Sequence, residues 1–190
     1  PGEVLERVND LLCPDIPEKM FVTCLYLVLD PSTGHVRYAN AGHNLPYVRT
    51  AGGVIEIRAP GLPLGLMPGI VYEETDAVVH PGEGMLLYSD GLVEQHGPGR
   101  EMYGFPRLRE AMATDDAGSA LLDRMLDELH AFTGPGVEQE DDITLVTLRR
   151  ASGVADEPSA GTHAQPGLVT AFSIPGEEGN ERLVMDRVAA

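Results

Sequence analysis

The stretch Met85-Leu-Leu-Tyr-Ser-Asp-Gly-Leu-Val-Glu94 decides how this chain is interpreted, because its apolar run leads through one serine to an aspartate, Asp90. In a second stretch, Gln139-Glu-Asp-Asp-Ile-Thr-Leu-Val146, Asp141 comes just before an apolar run. Short apolar runs bounded by turn residues predict strands, and a carboxylate at a strand end is poorly placed to be buried unpaired. Carboxylate oxygens bind hard divalent cations such as Mg²⁺ and Mn²⁺. The two aspartates therefore indicate a metal site built at strand ends.

The composition limits the class of protein. A length of 190 residues predicts one domain with at most an appendage, and a hydrophobic fraction of 43% is enough for a substantial core. The net charge of −17 argues against nucleic acid and against an anionic membrane as partners, because an acidic surface repels phosphate groups. Neither a secretory signal nor an apolar stretch of transmembrane length occurs, so we expect a cytoplasmic protein.

Hydrophobic periodicity predicts strands first and helices later. A helix is expected over residues 3–12, then a hairpin of strands 21–29 and 35–39 whose first strand is apolar enough to lie centrally in a sheet. Further strands are predicted at 45–49, 54–58, 71–80, 84–89 and 143–148. Pro81-Gly-Glu-Gly84 predicts that 71–80 and 84–89 form a second hairpin. Helices are expected at about 106–112 and over 119–133, where Ser119 can cap the helix. This order predicts an α+β domain.

The composition also predicts the domain boundaries. Residues 1–150 form the main domain in this interpretation, and 151–167, rich in Ala, Gly, Ser and Pro, form a flexible linker. Residues 168–190 are expected to begin a truncated second domain, with a strand at 168–174 and the first turns of a helix from Asn180 to Ala190. The chain starts without methionine inside a predicted helix, so we expect it to be a piece of a longer protein.

Six short segments follow one another in a characteristic order over residues 3 to 150. They are Pro-Glu-Lys-Met-Phe-Val-Thr at 17–23, Arg-Tyr-Ala-Asn-Ala-Gly-His-Asn-Leu-Pro at 37–46, Leu-Pro-Leu-Gly-Leu at 62–66, Leu-Tyr-Ser-Asp-Gly-Leu-Val-Glu at 87–94, Tyr-Gly-Phe-Pro-Arg-Leu at 103–108 and Glu-Asp-Asp-Ile-Thr-Leu-Val at 140–146. Together they resemble the bacterial metal-dependent serine phosphatases of the SpoIIE and RsbU type, within the PPM superfamily. The resemblance implies a β-sandwich flanked by helices, layered α-β-β-α and here incomplete at its N-terminus.

The resemblance also implies a mechanism and a set of site residues. A cluster of two or more Mn²⁺ or Mg²⁺ ions would activate water for hydrolysis of a phosphoserine or phosphothreonine, with no catalytic side chain beyond the metal ligands. By motif position, Asp90 and Asp141 would be metal ligands. Gly91 would allow the tight turn that aims Asp90, and Asp142 would orient neighbouring groups, although the choice between Asp141 and Asp142 stays open by one residue. His43 is either a general acid or, as we favour, a residue that holds a turn.

One departure from the family pattern leaves alternatives open. The family's first metal motif, Gly-Asp-(Val/Ile)-X-Gly-His-Gly, which supplies a bridging aspartate, is absent from this chain, so we expect the fragment alone to have little activity. A non-catalytic, phosphatase-like regulatory module is therefore an alternative. An unrelated metal-binding β-sandwich would be favoured if Asp90 and Asp141 lay far apart.

The resemblance extends to partners. It implies a phosphorylated anti-sigma-factor antagonist as the substrate, in bacterial partner-switching signalling, and it is compatible with a homodimer. The segment Phe172-Ser-Ile-Pro-Gly-Glu-Glu-Gly-Asn-Glu-Arg-Leu183 resembles the start of anti-sigma-factor serine kinase domains with a GHKL ATPase-like fold. It contains none of the ATP-binding motifs, so no kinase activity is expected of this chain.

Overall fold

The computed structural model describes residues 1–114 and 118–151 in full and the backbone of 171–175, 181–185 and 188–189. The elements in chain order are α1 Gly2–Leu12, β1 Cys24–Asp30, β2 His35–Ala41, β3 Tyr47–Thr50, β4 Gly53–Glu56, β5 Thr75–Val78, β6 Gly84–Tyr88, α2 Asp90–Glu94, α3 Gly104–Met112, α4 Ser119–Thr133, β7 Leu145–Arg150, β8 Ala171–Pro175, β9 Glu181–Met185 and β10 Val188–Ala189. The mostly antiparallel sheets and the separate helices confirm the predicted α+β class. The chain divides into two compact units, residues 1–45 with 56–79 and residues 46–55 with 80–190.

The first unit contains an antiparallel sheet with the strand order β1-β2-β5. The predicted hairpin is confirmed, since Asp30 pairs with His35 at its turn. The predicted central position of its first strand is wrong, because β2 lies between the other two strands described in this sheet. Val36 of β2 is fully buried, whereas Val28 of β1 is 51% exposed. The apolar run of β1 alternates between partly buried and exposed positions, as in a strand with only one covered face.

Helix α1 confirms the predicted helix 3–12 and is fastened to the first unit by a polar residue as well as by apolar ones. Leu5 packs in a cluster with Ala39, Leu64 and Tyr72. Asn9 is completely buried, and its side chain donates to the carbonyl of Met67 at 2.9 Å and accepts from the amide of Gly65 at 2.9 Å. A buried amide with both ends bonded fixes the loop that it contacts.

The second unit is built on a sheet with the strand order β10-β7-β6-β3-β4. Strand β6 pairs antiparallel with β3 and β7, so the predicted hairpin of 71–80 with 84–89 is wrong, since β5 pairs with β2 instead. Met85 and Leu86 are consecutive and both fully buried, so β6 is covered on both faces and lies inside its sheet. The alternating burial of β5 suits a strand with one exposed face.

The helices of the second unit cover its core. The helix predicted at 119–133 is confirmed, but the N-cap of α4 is Gly118, and Ser119 makes no capping hydrogen bond. The apolar residues of these helices pack with the sheet in one buried cluster, whose members include Tyr47, Leu86, Tyr88, Leu92, Tyr103, Leu108, Met112, Leu122 and Met125. In the part of the chain that the structure describes, no helix has the length and apolar character needed to cross a membrane.

The C-terminal region differs from its prediction. Residues 152–167 of the predicted linker lie outside the described residues. The strand predicted at 168–174 corresponds to β8, but the helix predicted from Asn180 is wrong over 181–185, which form β9, antiparallel to β8. Gly176 and Gly179 stand between the two strands in the sequence, and glycine favours a chain reversal. Strand β10 pairs in parallel with β7.

Candidate metal centre

The two predicted ligands come together at one end of the second unit's sheet. Asp90 follows β6 and is the first residue of α2, and Asp141 lies in the loop that leads into β7. Strands β6 and β7 are antiparallel neighbours with Tyr88 opposite Leu145, so the end of one strand meets the start of the other. Both aspartates are exposed. The segments that carry them adjoin, since a Cβ at Gly91 would lie 3.2 Å from the carbonyl oxygen of Asp141.

Ser89 joins the two segments directly. Its amide donates to the carbonyl of Thr144 at 3.0 Å, continuing the pairing of β6 with β7 beyond the last ladder residues. Its hydroxyl donates to the carbonyl of Asp142 at 3.0 Å and accepts from the amide of Thr144 at 2.9 Å. One serine therefore makes three hydrogen bonds to the segment that follows Asp141, and these fix the register between the Ser-Asp-Gly and Asp-Asp-Ile-Thr motifs.

Gly91 lies against the same segment. A Cβ atom at this position would stand 2.5 Å from the carbonyl oxygen of Asp142 and 3.2 Å from that of Asp141. Gly91 is not among the glycines with positive φ. The close approach of two backbones, rather than a left-handed backbone, therefore accounts for glycine here. That Gly91 also allows the turn that aims Asp90 stays a prediction.

The carboxylates are held only lightly. Oδ1 of Asp90 accepts from the amide of Gly91 at 3.1 Å, and Oδ1 of Asp141 accepts from the amide of Asp142 at 2.8 Å. Asp142 does not lie in a strand, because β7 begins at Leu145, so strand alternation does not separate the direction of its side chain from that of Asp141. The backbone carbonyl of Asp142 accepts from the hydroxyl of Ser89, so Asp142 contacts the Ser-Asp-Gly segment through its backbone.

A second connection holds the acidic loop, defined here as residues 138–142, and the sequence did not reveal it. Gln95 follows α2 and is 2% exposed. Its side-chain oxygen accepts from the amide of Glu140 at 3.0 Å, and its nitrogen donates to the carbonyls of Glu138 at 3.4 Å and His96 at 3.3 Å. His96 Nδ1 lies 2.8 Å from a carboxylate oxygen of Glu140. A single glutamine after a short helix belongs to no recognisable sequence motif. Its contacts with the loop therefore could not be predicted from the sequence and are seen only in the folded structure.

The donor set fits part of a divalent metal site. Asp90 and Asp141 supply exposed carboxylate oxygens at one sheet end, which are the ligands that Mg²⁺ and Mn²⁺ prefer. The loop also contains Glu138, Glu140 and Asp142, whose like charges repel one another unless a cation is near. Within residues 1–114 and 118–151, no group of three or more His, Cys, Asp or Glu side chains is arranged to hold a metal ion. These residues therefore fit a metal as part of its shell.

His43 lies in the first unit and has the contacts of a turn residue. Its amide donates to Oδ1 of Asn40 at 2.8 Å, and Asn40 Nδ2 donates to the carbonyl of His43 at 2.9 Å and to that of Ala59 at 3.3 Å. The ring nitrogen Nδ1 lies 3.2 Å from the hydroxyl of Thr23. These bonds support the interpretation of His43 as a residue that holds a turn.

Comparison with known proteins gives a consistent family. The family model of stage II sporulation protein E (SpoIIE) matches residues 1–151. Protein IcfG of Synechocystis sp. is 30% identical over 133 residues, covering 69% of this chain and 21% of that protein. The phosphoserine phosphatase RsbU of Bacillus subtilis is 27% identical over 157 residues, covering 79% of this chain and 45% of RsbU. The chain thus spans less than half the length of these two relatives.

Solved structures share the fold. The RsbU and RsbW domains of Rv1364c from Mycobacterium tuberculosis match with a TM-score of 0.59 at 27% identity, covering 70% of this chain and 38% of that one. The phosphatase domain of the cell-fate determinant SpoIIE from Bacillus subtilis, presoaked with Mn, matches with a TM-score of 0.58 at 15% identity, covering 83% of this chain and 69% of that one. The phosphatase-type fold predicted from the sequence is confirmed by these likenesses.

Proposed function

Because the chain belongs to the SpoIIE family, we propose that it is part of a metal-dependent protein serine/threonine phosphatase. The observation that carries the proposal is the meeting of the Asp90 and Asp141 segments at one sheet end, joined by Ser89 and by the close approach of Gly91 to Asp142. Two matched proteins are phosphatases by name, RsbU and the SpoIIE phosphatase domain.

In this proposal the chain's own residues hold and orient the ion. Asp90 and Asp141 would bind Mn²⁺ or Mg²⁺ through their free oxygen atoms, in a binuclear or larger cluster in the complete domain. Ser89 and Gly91 would keep the two carboxylates in register, so that little ordering is needed when the ion binds. A bound divalent cation would polarise the phosphoryl oxygens and supply an activated water at neutral pH. The presoaking of the SpoIIE phosphatase domain with Mn supports this choice of metals.

The proposed substrate is a phosphoserine or phosphothreonine on a regulatory protein of the anti-sigma-factor antagonist type. The name of RsbU as a phosphoserine phosphatase supports the reaction, and the occurrence of RsbU and RsbW domains in the Mycobacterium tuberculosis protein supports a signalling context. The net charge of −17 continues to argue against nucleic acid and membrane partners. A homodimer, a cytoplasmic location and a second domain from residue 168 remain predictions.

The test uses the full-length protein that contains this chain. Hydrolysis of p-nitrophenyl phosphate and of a phosphoserine peptide should require Mn²⁺ or Mg²⁺ and stop in EDTA. Asp90→Asn and Asp141→Asn should each lower kcat at least about a hundredfold, since several kcal/mol of charge stabilisation depends on the metal. Asp127→Asn, at an exposed aspartate of α4 in the same unit, is the matched control and should leave turnover unchanged.

Two outcomes would change the conclusion. Turnover that persists in EDTA would contradict metal dependence, and turnover that persists in Asp90→Asn would contradict the assignment of Asp90 as a metal ligand. Binding of a partner protein without any metal-dependent hydrolysis would favour the non-catalytic regulatory module. The alternative is kept because the described residues supply only part of a metal shell.

A further inference from the structure

We propose that Gln95 is a positioning residue that fixes the acidic loop beside Asp90, and that it thereby sets the affinity of the site for a divalent cation. The second half of this inference rests on the proposed function. Gln95 touches neither predicted ligand's carboxylate, and its polar contacts go to the backbone of the loop and to His96.

Gln95 is buried, and its side-chain amide is hydrogen-bonded to the acidic loop. An amide side chain that is 2% exposed must have its polar atoms bonded, because a buried unsatisfied amide is costly. Gln95 achieves this by accepting from the amide of Glu140 and donating to the carbonyl of Glu138. The two atoms of the Gln95 amide thus bond to the backbone on both sides of Gln139. One of these bonds is made at Glu140, the residue directly before Asp141. A displacement of the loop would break both bonds together.

The position of Gln95 in the chain connects these bonds to Asp90. Helix α2 is only five residues long, with Asp90 at its start and Gln95 directly after its end. Ser89 bonds to Asp142 and Thr144 on one side of this helix, and Gln95 bonds to Glu138 and Glu140 on the other. The helix is therefore attached to the loop at two points that flank Asp141, and two attachments fix a loop's position better than one.

The charge of the loop explains why a neutral amide suits this position. Residues 138–142 carry four carboxylates, and the backbone of this loop lies against Gly91, which directly follows a fifth carboxylate, Asp90. A glutamate at position 95 would add another negative charge, and a lysine or arginine would offer a counter-charge that competes with a metal cation. Glutamine bonds to the backbone without doing either. The loop is thus held in place while its carboxylates stay available.

Gln95→Met tests the inference, because methionine fills a similar volume without polar atoms. In the metal-free full-length protein, the amide of Glu140 should exchange with deuterium at least about tenfold faster, as expected when a local hydrogen bond is lost. Titration with Mn²⁺ followed by calorimetry should give a Kd weakened about ten- to a hundredfold, the usual effect of removing a residue that orients metal ligands. kcat at saturating Mn²⁺ should largely recover.

Thr147→Val is the matched control. Thr147 lies on β7, is 3% exposed, and its hydroxyl donates to the carbonyl of Met85 on β6, so the variant loses one buried hydrogen bond away from the acidic loop. It should lower stability without changing the exchange of Glu140 or the Kd for Mn²⁺. If Gln95→Met does not fold, Gln95→Leu replaces it; leucine also lacks both polar atoms, so exchange at Glu140 and the Kd for Mn²⁺ should change by similar factors.

The outcomes separate this inference from the proposed function. Unchanged exchange at Glu140 in the Gln95 variant overturns the positioning role, whether or not the protein binds metal. A wild-type protein that binds no Mn²⁺ contradicts the proposed function, and the exchange experiment still decides the role of Gln95. Equal Mn²⁺ affinity in wild type and Gln95→Met, with faster exchange in the variant, overturns the link to the metal.

Discussion

The backbone of Gly91 approaches the carbonyl of Asp142 so closely that a Cβ at position 91 would lie 2.5 Å from its oxygen. Gly91→Ala should therefore push the Asp141–Asp142 segment away from Asp90, because a Cβ is fixed to its own backbone and the oxygen that it meets is a backbone carbonyl, so neither can rotate aside. We expect a loss of about 1–3 kcal/mol in the free energy of unfolding, as for other overpacked sites. Metal-dependent turnover should fall as well. Urea unfolding and phosphatase assays measure the two effects.

Gly52→Ala is the control for that substitution. Gly52 belongs to the same unit, and the nearest atom to a Cβ there is Oγ1 of Thr50 at 3.7 Å, an ordinary contact. This variant should keep both stability and activity. Equal stability and turnover in the two alanine variants would mean that the Asp141–Asp142 segment can shift at no cost, which would contradict the steric conflict expected at Gly91.

Ser89→Ala should loosen the same junction by removing hydrogen bonds rather than by steric conflict. The alanine variant leaves the amide of Thr144 and the carbonyl of Asp142 without the hydroxyl that now bonds to both. We expect a stability loss of about 1–3 kcal/mol, the usual cost of leaving a partly buried group unpaired. Ser119→Ala, at an exposed serine that makes no capping bond, should have no measurable effect in the same urea titration.

Asp141 and Asp142 should differ in what their side chains do. Asp142 contributes its carbonyl to Ser89, and asparagine keeps that carbonyl. Asp142→Asn should therefore retain most metal-dependent turnover, whereas Asp141→Asn should lose it. Calorimetric titration of each variant with Mn²⁺ measures the Kd. A weakened Kd indicates a lost metal ligand, whereas an unchanged Kd with low turnover indicates a lost reaction step. The reverse result would shift the ligand assignment by one residue.

Local patterns in the sequence were enough to find most of the elements and the positions of the predicted ligands. Helices α1 and α4 and the hairpin of β1 with β2 follow from apolar spacing and from the turn at Asp30-Pro-Ser-Thr-Gly34, because these signals lie within a few residues. Asp90 and Asp141 were noticed because each adjoins an apolar run that becomes a strand. The fold brings these runs together as β6 and β7.

Strand order and long-range polar contacts were not predictable in the same way. An apolar run such as β1 does not reveal whether partners cover one face or two, so its central position was predicted wrongly. Gln95 meets Glu140 across 45 residues, and Asn9 meets Met67 across 58. Neither residue stands in a motif, and a buried amide is recognised only once the chain around it is folded.

His43 and Asn40 should respond differently to replacement. Asn40 is 4% exposed and makes three hydrogen bonds that hold the turn, so Asn40→Ala should destabilise the protein by about 1–3 kcal/mol. The amide and carbonyl of His43 that bond to Asn40 remain in His43→Ala. That variant should therefore keep kcat within about tenfold, because loss of a general acid typically costs a hundredfold or more. A larger loss, with a change in the pH profile, would support a general-acid role for His43.

Asp30 should make the β1–β2 hairpin sensitive to acid. Hydrogen bonds from the Ser32 and Thr33 side chains, and from the amide of Ser32, lower the pKa of the Asp30 carboxyl to about 2. The folded state thus favours the ionised form more than the unfolded chain does, whose aspartate pKa is about 3.9. The resulting stabilisation is fully present above about pH 5 and is lost as the pH falls from about 4 towards 2.

Asp30→Asn should remove the part of the pH dependence of stability that comes from Asp30, and comparison with wild type measures that part. Asparagine cannot ionise and accepts through only one side-chain oxygen, so the variant should unfold at lower urea concentration than wild type at pH 7. The difference between the two proteins should shrink as the pH falls below 4, because wild type then loses its ionised carboxylate in both states. Asp127→Asn, at an exposed aspartate of α4, serves as the control for the change in net charge. A difference that stays constant from pH 7 to pH 2.5 would mean that the Ser32 and Thr33 bonds do not favour the ionised carboxylate.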